Sequence, residues 1–122
     1  MSKIEKFEDL DCWKEARVLV SITYILTNQG ELKKDFDFKS QIRRASISVM
    51  NNIAEGFGRY SNKEFIRSLE YSSSSASEVK SMCYLLTDLG YATNEDANKL
   101  IEQTEKTRRM VLGLLKYVKS KL

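Results

Sequence analysis

Apolar residues recur at three- and four-residue steps along most of this chain, the period of helices that each bury one face. The pattern divides it into four amphipathic segments, about residues 10–28, 39–57, 62–89 and 94–121. In the first, Trp13, Ala16, Leu19, Val20, Tyr24 and Leu26 form the stripe; Asp9 or Asp11 is expected to start the helix and Gly30 to stop it. A loop, GELKKDFDF, follows, with Phe36 and Phe38 expected to tuck it onto the body. In the second segment Ile42, Ala45, Ile47, Val49, Met50, Ile53, Ala54 and Phe57 spread over about 200° of the helix, well beyond the roughly 100° of a surface helix. That breadth predicts either a deep position in the bundle or an outer edge that meets another subunit.

The third segment opens with a capping box, Ser61 to Glu64, and continues as Phe65, Leu69, Ser72, Ala76, Val79, Cys83 and Leu86 to the C-terminal Gly90. Its length, about 40 Å, demands partners along the whole helix. The run SSSSAS, Ser72 to Ser77, lies inside this periodicity, so small residues there predict close helix–helix approach rather than a linker. The fourth stripe is Ala97, Ile101, Thr104, Val111, Leu115, Val118 and Leu122, with Arg108 on it in need of an acidic partner or an exposed head. Four long helices and short connections predict one all-α domain over residues 1–122, an antiparallel up-down four-helix bundle.

Composition sharpens this picture. The chain has 122 residues, no proline and five glycines, which suits long helices. Two isolated cysteines, Cys12 and Cys83, fit a reducing cytoplasm better than a disulfide framework. The start, MSKIEKFEDLD, has no apolar run and is not expected to be a signal peptide, and no apolar stretch approaches a membrane span. With no histidine, a nucleophile–histidine mechanism is excluded. No cofactor or metal site is expected, since CxxC, Glu-x-x-His and dense acidic clusters are all absent, and an enzyme is not expected.

The net charge is +3, and from Lys106 to Leu122 there are six basic residues and no acid. Such an end suits nucleic acid or an acidic partner, or it complements the negative end of a helix dipole. The run EGFGR could be read as a phosphate-cradling loop, but it lacks a Walker Lys-Ser/Thr and a preceding strand. A tight corner explains it better, with Gly56 helical, Gly58 left-handed and ending the helix, and Arg59 exposed. Gln41, Arg44, Ser48, Asn52 and Glu55 form a polar ridge on the second helix, either an exposed face or a polar network at a subunit seam.

QIRRASISVMNNIAEGFGR, then NKEFIRSLEYSSSSASEVKSMCYLLTDLGY, resembles the bacterial family encoded in 23S rRNA intervening sequences, also filed as four-helix-bundle proteins and once called S23 ribosomal protein. LDCWKEARVL resembles the family's opening, and the likeness spans about residues 10–120. Where the family commonly has proline, this chain has Met50, which predicts a straighter second helix. The resemblance implies a homopentameric ring of four-helix protomers. Related bundles are accessory proteins of diversity-generating retroelements, in which a basic pentamer contacts nucleic acid and a reverse transcriptase. Trp13, Gln41, Arg43, Ala45, Ser48, Asn52, Glu55, Gly56, Gly58, Arg59, Phe65 and Glu78 match motif positions, most of them expected to build the fold or the ring. The expected partners are therefore further copies of the chain, RNA or DNA, or another protein, and not a membrane. Candidate nucleic-acid contacts are Arg43, Arg44, Arg59, Lys63, Arg67, Lys106, Arg108, Arg109, Lys116 and Lys119. Candidate structural or assembly residues are Trp13, Gln41, Ser48, Asn52, Glu55, Gly56, Gly58 and Phe65.

Overall fold

A computed structural model describes residues 4–59 and 61–122. After a short 3-10 turn at Phe7–Asp9 come four helices: α1 (Asp11–Thr27), α2 (Phe36–Phe57), α3 (Asn62–Asp88) and α4 (Asn94–Lys119). Each packs on its neighbours in the chain, and α1 also packs on α4, which closes an antiparallel four-helix bundle. One hydrophobic core runs through it, with Leu19, Ile42, Ile53, Leu69, Leu86, Leu100 and Val111 fully buried.

Helix ends follow local chemistry, with three departures from expectation. Neither Asp9 nor Asp11 caps α1; Leu10 holds the cap position without a side-chain bond, and Asp11 lies in the first turn, where its charge favours the helix dipole. The second helix begins three residues early, because Asp35 caps it by accepting from the Phe38 amide at 3.1 Å. That splits the two loop phenylalanines: Phe38 is buried, whereas Phe36 stands 71% exposed instead of tucking in. Leu32, on the 3-10 turn Gly30–Lys34, fills the core in its place. Gly58 is right-handed, φ −78° and ψ −6°, so it ends α2 without the left-handed turn. Among the described residues positive φ occurs only at Gly30 and Gly90.

Gly90 does close α3 in the expected way. It lets the Tyr91 amide reach the Leu86 carbonyl at 2.8 Å and its own amide reach Thr87 at 3.1 Å. Tyr91 is thereby turned edge-on to Phe38, 5.7 Å between ring centroids, and its hydroxyl donates to Asp35 Oδ2 at 2.7 Å. At the other corner Ser61 Oγ accepts from the Glu64 amide at 3.3 Å, the first half of the capping box. The Glu64 carboxylate turns instead to Arg59, 3.5 Å away.

The broad apolar arc of α2 is explained within the protomer, since α2 lies between α1 and α3. Ile42, Ala45, Val49 and Ile53 are buried, while Ile47, Met50 and Ala54 at the edge are half-buried. The helix runs without interruption through Met50. The serine run of α3 packs closely, as its position on the stripe predicts: Ser72 is fully buried and donates to the Val49 carbonyl at 2.8 Å. Buried Thr23, Thr27, Thr104 and Thr107 each donate to a carbonyl one turn back, at 2.7 to 2.8 Å, so a hydroxyl enters the core with its proton satisfied.

Candidate nucleic-acid interface

The polar ridge of α2 is not a bare face: two of its five residues, Gln41 and Ser48, bond to α3. Gln41 donates to the Glu78 carboxylate, and the Ser48 and Ser75 hydroxyls share a bond of 2.8 Å. Asn52 donates to both the carbonyl and the hydroxyl of Ser48, each at 2.9 Å. Together with Ser72 these bonds fix the register of α2 on α3. Arg44 and Glu55 stand outside the ladder, exposed. The matched motif residues Gln41, Ser48, Asn52 and Glu78 thus lie along the α2–α3 edge, Ser48 and Asn52 half-buried and Gln41 and Glu78 exposed. Trp13, half-buried, meets Phe7 edge-on at 5.3 Å, with the Arg17 guanidinium 5.8 Å from its centroid.

Gly56 and Phe65 form a second junction. A Cβ added at Gly56 would meet Ser68 Cβ at 2.5 Å and Phe65 Cδ1 at 3.0 Å, so only glycine lets α2 lie this close to α3. Phe65 then meets Phe57 edge-on, 5.9 Å between centroids. Beyond these rings opens a cleft of about 680 Å³, completed by Leu114 and Val118 of α4, with Arg59 and Lys121 also lining it.

The ten candidate cations do not form one patch. Arg43 is committed to the fold: its Nε donates to Thr27 Oγ1 at 2.8 Å and its guanidinium lies 4.3 Å from the Tyr24 ring centroid. Lys106 is committed too, paired with Glu15 of α1 at 3.5 Å. Glu15 also accepts from Gln103, which locks α1 to α4. Arg44 is alone on the outside of α2. Arg59 pairs with Glu64 at the corner, where both side chains are exposed and the pair adds little stability.

The remainder lie on α3 and α4. The Lys80–Glu105 pair, 3.3 Å, sets the antiparallel register of α3 on α4. Stepping from it along both helices puts Arg108 level with Ser77 and Arg67 level with the Val118–Lys119 turn, with Lys63 beyond, although Arg67 and Lys63 point outward from α3 rather than at α4. Lys63, Arg67, Arg109, Lys116 and Lys119 are all exposed. Among the described residues none of them has a carboxylate within 4.0 Å, although Glu70 interrupts the strip. Towards the opposite end of the bundle Lys34 meets Glu31 and Lys99 meets Glu95, each at 3.5 Å in an exposed pair, while Lys39 Nζ donates to the Lys33 carbonyl. Arg108 is half-buried, with no acidic partner and an enclosed Nε lacking any acceptor. Lys116 and Lys119 lie in the last turn of α4, where the helix dipole favours them, so both roles expected of this basic end are compatible.

Other chemistry finds little support in the geometry. Burial pushes the Cys12 thiol up to about 11 and the Cys83 thiol to about 12, so neither is a ready nucleophile. Among the described residues no three His, Cys, Asp or Glu side chains gather as metal ligands, and no helix is long and apolar enough to cross a membrane.

The model of the 23S rRNA-intervening sequence protein family matches residues 8–113. The chain belongs to that family. A solved structure with the same fold is a protein of unknown function from the S23 ribosomal protein family of Bacteroides thetaiotaomicron VPI-5482. It is 22% identical, with a TM-score of 0.78 over 86% of this chain and 95% of that one. Among curated proteins none matches. The family match covers the whole α2–α3 ladder and the candidate cations Lys63, Arg67, Arg108 and Arg109, but stops short of Lys116 and Lys119.

Proposed function

We propose that this protein is a non-enzymatic, cytoplasmic bundle that self-associates, as a ring of five, and holds nucleic acid, RNA foremost, on the outer faces of α3 and α4 near the α2–α3 corner. The observation behind this reading is the group of exposed cations on α3 and α4 near the α2–α3 corner. Two lysines towards one end, Lys34 and Lys99, stand beside carboxylates, while among the described residues Lys63, Arg67, Arg109, Lys116 and Lys119 towards the other have no acid within pairing distance. Unpaired, exposed cations suit phosphates, which are held largely without regard to sequence. The family's description ties it to 23S rRNA intervening sequences, which favours RNA. Five copies would multiply a charge that is modest on one.

A protein-only scaffold is the second reading. Phe36, Leu85 and Leu89 are exposed towards the other end of the bundle, and apolar side chains of this size in water favour a protein contact. The same residues suit contacts between copies in a ring.

Labelled RNA and duplex DNA titrated across a salt series separate these readings. The nucleic-acid reading expects affinity to fall steeply with salt, by about 0.7 to 0.9 in log–log slope per phosphate contacted. Arg67→Glu with Lys119→Glu should abolish binding, while Lys34→Glu at the paired end leaves it unchanged. No binding even at low salt leaves the scaffold reading. Light scattering addresses assembly on its own, and a strict monomer overturns the ring.

A further inference from the structure

We infer that the cleft between the α2–α3 corner and the last turns of α4 receives an unstacked nucleobase, so that the protein prefers single-stranded RNA to a duplex. The inference rests on the nucleic-acid reading above and adds a second kind of contact to it. Phosphates explain attraction to any polyanion, whereas this cleft adds something only a strand with free bases can use.

The cleft has the size and lining for such a guest. Its volume of about 680 Å³ lies within the roughly 300 to 1,000 Å³ of small-ligand sites. Phe57 and Phe65 stand nearly perpendicular, at 84°, and supply aromatic surface, while Leu114 and Val118 close the far side. Tyr117 also lines the cleft, half exposed at 52%, with Lys121 Nζ 4.9 Å from its ring centroid. Bases stack on aromatic rings regardless of their identity, since every base has a π-face.

Charge selects a nucleotide over an apolar peptide. Two cations, Arg59 and Lys121, line the cleft, and among the described lining residues there is no carboxylate. Lys63 lies in the first turn of α3, just beyond the corner that holds Arg59, and Lys119 lies in the last turn of α4, two residues from Tyr117 and Lys121. A backbone running along those cations would pass the cleft mouth and could drop one base into it. Arg59 is held only by an exposed pair with Glu64, which a phosphate can displace at little cost. In a duplex the bases are stacked and paired, so no base is available to enter.

The experiment compares a labelled oligouridylate with an RNA duplex of the same length, on wild type and on Tyr117→Ala and Tyr117→Phe. Tyr117 is exposed enough that its truncation should leave the fold intact, as circular dichroism will show. Single strands should bind wild type more tightly than duplex. Tyr117→Ala should weaken the single strand at least about fivefold and leave the duplex unchanged, and Tyr117→Phe should restore it. A 2-aminopurine placed in the strand should be quenched by wild type and not by Tyr117→Ala. Equal binding of both RNAs, or single-strand binding indifferent to Tyr117→Ala, overturns the base site while the phosphate contacts stand; the cleft would then suit a peptide instead. Failure of both RNAs to bind at low salt overturns both proposals together.

Discussion

Gly56 of α2 lies so close to α3 that an added Cβ would come within 2.5 Å of the Cβ of Ser68. Ser68 Cβ is anchored to its backbone and cannot swing away, so one helix must move. Gly56→Ala should therefore cost about 1–3 kcal/mol by overpacking, in spite of alanine's better helix propensity. Gly58 is the control. Its backbone is right-handed and the nearest atoms to an added Cβ are 3.6 Å away, so Gly58→Ala should be neutral or slightly stabilising. Urea denaturation of the two variants measures both, and a large loss at Gly58 would mean the corner needs a left-handed residue after all.

Arg108 keeps its Nε enclosed without an acceptor, and an unpaired buried donor costs about 1–3 kcal/mol. Arg108→Met retains the apolar stem and removes the donor. Its midpoint of thermal unfolding should rise, by about 1 kcal/mol in stability, while the salt slope for RNA falls by about one phosphate contact. Stability that drops instead would show that the guanidinium supports the α3–α4 packing.

Asp35 binds two donors, and the Tyr91 hydroxyl, followed by the Phe38 amide, holds its carboxyl below the ordinary 3.8. The folded value is the lower one, so its contribution is present above pH 3.8 and is lost as pH falls through the depressed value. Tyr91 is shifted the other way, up from 10.0, by the same bond. Its contribution is complete below pH 10.0 and is lost as pH rises through the raised value. Tyr91→Phe should move the Asp35 carboxyl back towards 3.8 in an NMR titration. An unchanged titration would mean the Phe38 amide alone sets it.

Cys12 and Cys83 are buried thiols with values raised to about 11 and about 12. Near pH 8 a disulfide reagent should react slowly with the folded protein and promptly with both thiols in denaturant. Prompt reaction of either in buffer would reveal local opening of α1 or α3.

What periodicity could reveal was local. The α3 stripe from Leu69 to Leu86 is buried as its spacing predicts, and Ser61 caps that helix because cap chemistry needs only neighbouring residues. Pairings distant in sequence were not legible. Tyr91 reaches Asp35 across 56 positions, and Lys106 spends its charge on Glu15, so a cation that reads as free in the C-terminal run is occupied. The polar ridge illustrates the same limit: whether Ser48 lies on an exposed face or in a seam stays open until Ser75 of α3 comes opposite it. Leu100, rather than Ile101, is the fully buried residue of that α4 turn, a difference of one step that a wheel cannot resolve. Tyr117 gave no sign of a role, because a lone aromatic near a terminus acquires meaning only beside Phe57 and Phe65.

The uneven pairing of charge also governs how encounters begin. With Lys34 and Lys99 beside carboxylates at one end and, among the described residues, Lys63, Arg109, Lys116 and Lys119 without one at the other, the protein carries its open positive charge towards the α2–α3 corner. Within a Debye length, about 10 Å at 0.1 M salt, a polyanion will turn that end towards itself before any contact forms. Collisions then arrive already oriented, and association should speed up by about 10- to 1,000-fold in dilute salt, an advantage that added electrolyte removes.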